Sequence, residues 1–193
     1  MHELGHNLGL RHGGDSEVNN KPGYISVMNY MYTGNGLPVV GSPSEGDRYH
    51  LQGYFLLGID CGVIDWLELE RGPFSADMVI DYSDGTSAAL LESAVSEPLG
   101  LGRPTSGPVD FDCDGSATNT VAVDLNFDGA TGANLGDFDD WSNLRFVFSR
   151  EPKGNDHGPT SPADRGFDPL TNDRQPVSDE VAPPAGFFER RRR

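Results

Sequence analysis

His2-Glu3-Leu4-Gly5-His6-Asn7-Leu8-Gly9-Leu10-Arg11-His12, at the start of a 193-residue chain, decides how the rest is read. Leu4 and Leu8 stand at helical spacing, and Gly9 lies where a helix would end. His2 and His6, four apart, share one helix face a turn apart, where two imidazoles reach one ion. A helix cannot by itself supply the third ligand that closes a tetrahedron, so the chain has to leave the helix and return. Gly9, lacking a Cβ, takes the positive φ this needs, and His12 arrives three residues later. Zinc with three protein ligands keeps a fourth position for water and lowers its pKa to about 7, and a neighbouring carboxylate can take the proton. The residues therefore point to zinc at His2, His6 and His12, with Glu3 as the base.

The string fits the pattern H-E-x-x-H-x-x-G-x-x-H at His2, Glu3, His6, Gly9 and His12, and in this it resembles the metzincin zinc metallopeptidases. Further on, Ser26-Val27-Met28-Asn29-Tyr30 is similar to the methionine turn of the astacin and serralysin branches. The resemblance implies that Met28 forms a soft apolar floor under the imidazoles, and that Tyr30 donates a hydrogen bond to the oxyanion formed at a carbonyl. Met31, followed by Tyr32 and Thr33, fits the tyrosine spacing less well. Gly14 and Asp15 after His12 also look serralysin-like, whereas His50 and His157 match nothing in the pattern and read as structural or exposed.

What the resemblance implies for the whole chain is an α+β class, here the C-terminal half of a metzincin-like domain: a helix, irregular loops, little regular sheet. It also implies hydrolysis of peptide bonds in protein or peptide substrates, and an extracellular setting. Metzincins bind substrate along the edge strand of an upstream sheet. The chain accordingly reads as a fragment of a longer secreted protease, with a misassigned start or a degenerate form as alternatives.

Outward from this stretch, Gly13, Gly14, Asn19, Asn20, Pro22 and Gly23 make a turn-rich excursion before the apolar segment Tyr24 to Tyr32. A loop dense in Gly, Pro and Ser covers 33–47. Residues 51–69 read as one or two short elements stopped at Gly72-Pro73. Leu90, Leu91, Ala94 and Val95 predict a helix over 88–95, capped by Thr86 or Ser87.

The formal net charge is -16, from 14 basic and 30 acidic side chains. Such a balance repels phosphate backbones and anionic bilayers, and it makes divalent cations the natural counter-charge. Asp110, Asp112 and Asp114 alternate before Gly115, and Asp124, Asn126 and Asp128 alternate before Gly129. That spacing turns several oxygens toward one calcium ion and resembles the first half of an EF-hand or thrombospondin-type loop. The twelfth positions are Val121 and Leu135, where an EF-hand places a bidentate acid. Another carboxylate must complete any site, with Asp137, Asp139 and Asp140 nearest along the chain. Scattered acids such as Glu92 and Glu97 read as a solvated face.

Cys61 and Cys113 allow one disulfide or two buried thiols and fit no zinc spacing. No apolar run is long enough to cross a bilayer, so no membrane insertion is expected. The organisation read from this is a zinc-binding catalytic half over 1–100, an acidic, calcium-type segment over 101–150, and a mobile tail rich in Pro, Asp and Arg over 151–193. The rival to a zinc endopeptidase is a calcium-dependent binding or matrix module that keeps an inactive peptidase remnant.

Overall fold

Short elements joined by long connections are what 25 glycines and 14 prolines in 193 residues lead to. The computed structural model describes residues 1–67 and 78–145. The chain divides into two units, Met1–Leu144 and Arg145–Arg193, and the helices and strands below all belong to the first. The tail expected over 151–193, His157, and the stop at Gly72-Pro73 lie outside the described residues.

Helices α1 (His2–Asn7), α2 (Tyr30–Thr33) and α3 (Asp47–Leu57) precede the acidic half. Helix α1 ends as its glycine requires, with Gly9 at φ 90° and the Leu10 N–H closing back onto the Gly5 carbonyl at 3.0 Å. Helix α2 starts on Asn29, whose side chain accepts from the Met31 N–H. Helix α3 stops at Gly58 in the left-handed conformation. No helix among the described residues is long and apolar enough to cross a membrane.

Among the described residues, regular sheet is confined to two antiparallel ladders of two residues per strand. In one, β1 (Leu90–Leu91) pairs with β4 (Asn134–Leu135), Leu90 opposite Leu135. In the other, β2 (Val95–Ser96) pairs with β3 (Thr120–Val121), Val95 opposite Val121. Short 3₁₀ turns follow β1 and β2, at Glu92–Ala94 and Glu97–Leu99, and helix α4 covers Asp140–Asn143.

The helix expected over 88–95 is therefore not formed. Its apolar residues satisfy a helical spacing, but they bury as a strand pair does: Leu90 and Val95 point inward at 5% and 1% exposure, while Leu91 is 43% exposed. The competing force is the need of the acidic loops for acceptors, met by the carboxylates of Glu92 and Glu97, each of which opens a 3₁₀ turn directly after a short strand.

The core gathers around Tyr24–Asn29 and the first residues of α2. Tyr24, Met28, Met31, Leu101 and Leu125 are all fully buried, with Val95 beside them. Cys61 and Cys113 form a disulfide, with Cα atoms 5.3 Å apart, tying the segment after α3 to the first acidic loop.

Candidate metal centre

The site is built from α1, the turn after it, and the segment entering α2. His2 and His6, one turn apart on α1, place their Nε2 atoms 3.1 Å from each other. Two nitrogens bound at 2.0–2.1 Å in a tetrahedron would lie about 3.3 Å apart. The ring of His12 completes the group, its centroid 4.9 Å from that of His6 and 5.4 Å from that of His2. One nitrogen from each of the three histidines lies within 4.8 Å of the others.

Tautomers are set by the backbone. The Nδ1 of His2 lies 2.8 Å from the Val27 carbonyl and that of His6 2.9 Å from the Leu10 carbonyl. A carbonyl only accepts, so both Nδ1 atoms carry the hydrogen, and in the neutral rings both Nε2 atoms are lone pairs. Lone pairs facing each other at 3.1 Å repel unless a cation stands between them. His12 Nε2 is buried and has no hydrogen-bond partner. Burial, reinforced by the neighbouring His6 and His2, lowers the His12 pKa to about 4, so its imidazole is neutral at pH 7. Three unprotonated ring nitrogens converging in this way are a donor set suited to zinc.

The turn at Gly9 therefore does two things: it carries the chain to His12, and it supplies the carbonyl of Leu10 that orients His6. His12 itself is steadied by a tight return in which Arg11 and Gly14 exchange two backbone hydrogen bonds, at 2.9 and 3.0 Å. The ammonium of Lys21, almost fully buried, donates to the Gly13 carbonyl at 2.7 Å.

Beneath α1 lies Met28. A Cβ at Gly5 would overlap the Met28 sulfur, so the helix sits on the thioether only because position 5 has no side chain. The ring of Tyr30 packs against the site, its centroid 4.3 Å from that of His12 and 5.5 Å from that of His2. Glu3, on the same helix as His2 and His6, is exposed. Met31 is not at the metal side; it is fully buried in the core.

Several residues that hold this arrangement carry no signal in the local pattern. Asp140, fully buried at the start of α4, accepts from the Tyr24 hydroxyl at 2.7 Å, the Ser26 hydroxyl at 2.5 Å and the Ser83 N–H at 3.0 Å. It thereby anchors the methionine turn from a position 114 residues beyond Ser26. Asn29 does the same locally, donating to the carbonyls of Lys21 and Tyr24.

The acidic loops take matching shapes. Cys113 and Phe127 both have φ near 62–63°, and Gly115 and Gly129 follow at 89° and 91°. Asp110 accepts from the N–H groups of Asp114 and Gly115, and Asp124 from those of Asp128 and Gly129. Asp112 and Asn126 each accept from the residue two further on, and Asp114 accepts from Ser116.

One expectation about the acids does not hold. Glu92 and Glu97 are not on a solvated face: both are 0% exposed, and their carboxylates reach the loops, Glu92 to the N–H groups of Leu125 and Asn126, Glu97 to those of Phe111 and Asp112. Asp139 and Asp140 serve other elements, whereas Asp137 lines one pocket with Asn126 and Asp128 of the second loop. Asp137 accepts from Ser83, Ser87 and Phe138, Asp139 caps α4, and Asp140 lies under the methionine turn. His50 is buried at 5% exposure, beside the Cys61 and Cys113 sulfurs. Comparison of the chain with protein-family models, with curated proteins and with solved structures finds no match.

Proposed function

We propose that this chain carries the zinc-binding and catalytic half of a metzincin-like endopeptidase, acting on protein or peptide substrates outside the cell. The observation that carries the reading is the convergence of three ring nitrogens, two turned by backbone carbonyls and the third buried and unpartnered. His2, His6 and His12 would hold zinc, which when bound polarises a carbonyl and brings the pKa of water down to about 7.

The remaining chemistry falls to the chain's own residues. Glu3, an exposed carboxylate on the helix that carries His2 and His6, takes the proton of the attacking water and later gives it to the departing amine. Tyr30, packed on His2 and His12, directs its hydroxyl to the carbonyl oxygen as negative charge gathers there. Met28 and the glycine above it keep the helix in place; they touch neither water nor substrate.

The test separates metal binding from chemistry. Glu3→Gln is expected to keep one zinc per chain by atomic absorption while cleavage of an unstructured protein substrate falls by roughly 10²–10⁴-fold, the ordinary value of a general base. His12→Ala should lose the zinc itself. A purified chain that binds calcium but no zinc would overturn the enzyme reading and leave the calcium-dependent module in its place.

A further inference from the structure

The two acidic loops have the same backbone shape and each is met by one buried glutamate, so what differs between the glutamates is informative. Glu92 uses both oxygens on the backbone: Oε1 accepts from Leu125 and Asn126, and Oε2 from the Ala133 N–H at 2.9 Å. Glu97 uses Oε1 on Phe111 at 2.7 Å and on Asp112, but its Oε2 is buried without any partner. Oε2 of a fully buried carboxylate with no donor is costly to keep, because nothing replaces the water it gave up.

That glutamate is not isolated. An oxygen from each of Glu97, Asp110 and Asp112 lies within 4.8 Å of the others. Three carboxylates gathered this closely repel one another unless a cation joins them. In the second loop Asp124 and Asp128 form no such group with Glu92 among the described residues.

We propose that Glu97, Asp110 and Asp112 bind one calcium ion, with Glu97 supplying the acid that the loop's own twelfth position, Val121, cannot. The placement follows from the ladder. Ser96 lies opposite Thr120, and the Glu97 N–H bonds the Asn119 carbonyl at 3.1 Å, so Glu97 stands next in space to the end of the loop although it precedes the loop in sequence. The donors are all hard oxygens, which suit calcium and not the softer transition metals. Asp110 and Asp112 accept N–H bonds within the loop, yet each oxygen keeps a second lone pair, so these bonds orient the carboxylates and leave them able to bind.

Calcium at this site is independent of hydrolysis at the histidines and is tested apart from it. The full chain, stripped of divalent ions with a chelator, is titrated calorimetrically with calcium chloride and, separately, with magnesium chloride. Asp112→Asn, an exposed change that leaves folding intact, should lose one equivalent of calcium or weaken it at least tenfold, and Glu97→Gln should do the same. Calcium stoichiometry and affinity unchanged in Asp112→Asn would overturn the assignment, as would magnesium binding equal to that of calcium. Zinc content, measured in each protein before the chelator is added, is expected to be alike in all three, so a failure at the acidic loop would not be a failure of the histidine centre.

Discussion

At the residue scale, Gly5 shows how closely the helix and the methionine turn are matched. Alanine would add about 1 kcal/mol of helix propensity at an interior position. It would also drive a Cβ into the Met28 sulfur, next to Tyr82, and overpacking of this kind costs about 1–3 kcal/mol. The overlap wins, because the sulfur is fully buried and has nowhere to withdraw. Gly5→Ala is therefore expected to lower the urea midpoint at unchanged slope, and to weaken zinc binding as α1 lifts from its floor. A more stable variant would place the helix somewhere other than on Met28. Glu3, two residues earlier, is the opposite kind of residue: it is exposed, and its carboxylate lies open to solvent.

Helix α3 shows what burial does to a titrating group at the scale of an element. His50, on its inner face, packs edge-on to Tyr49 at 5.3 Å, with the Cys61 and Cys113 sulfurs nearby. Burial lowers its pKa, and the charge of Asp110 works against that lowering without reversing it. The unfolded chain takes up a proton at this imidazole at about pH 6.5, the ordinary value for a histidine. The folded chain takes it up only at lower pH. His50 thus contributes stability that is complete above about pH 6.5 and is lost as the pH falls through the folded value. Urea midpoints measured from pH 7.5 down to 5 should drop more steeply for the unaltered chain than for His50→Gln. Parallel curves would show that the imidazole is not held neutral by the fold.

Local propensity loses again in the ladders of the acidic half. Leu90, Leu91, Ala94 and Val95 have a helical spacing, and a helix is what that spacing favours. What the spacing omits is that Glu92 and Glu97 are each needed by a loop lying 14 to 34 residues further on. Each glutamate opens a 3₁₀ turn directly after a two-residue strand; a continuous helix would send the two carboxylates to different faces.

At the scale of the whole molecule, the described strands of two residues and helices of four to eleven leave a large part for a covalent link between distant segments. The disulfide closes a separation of 52 residues, and constraint of the unfolded chain over a loop of that length is worth about 4 kcal/mol on the chain-entropy model. Replacing both cysteines with serine should lower the unfolding free energy by about that amount, read from denaturant curves at fixed zinc and calcium. A loss well below 1 kcal/mol would show that the segment after α3 and the first acidic loop are held together by other means.

What this sequence determined alone is the local part of the centre: which histidines share a helix face, where glycine lets the chain turn, and which methionine and tyrosine follow. Periodicity and positive φ are properties of consecutive residues, so a string of eleven is enough to read them. Only the tertiary structure decided that the Val27 carbonyl turns the His2 ring, that Asp140 braces the methionine turn, and that buried Glu92 and Glu97 serve loops whose own twelfth positions are apolar. These are contacts between segments far apart along the chain. An isolated aspartate or glutamate looks the same in sequence whether it ends in water or in the core, because desolvation and its compensation exist only once the segments have met.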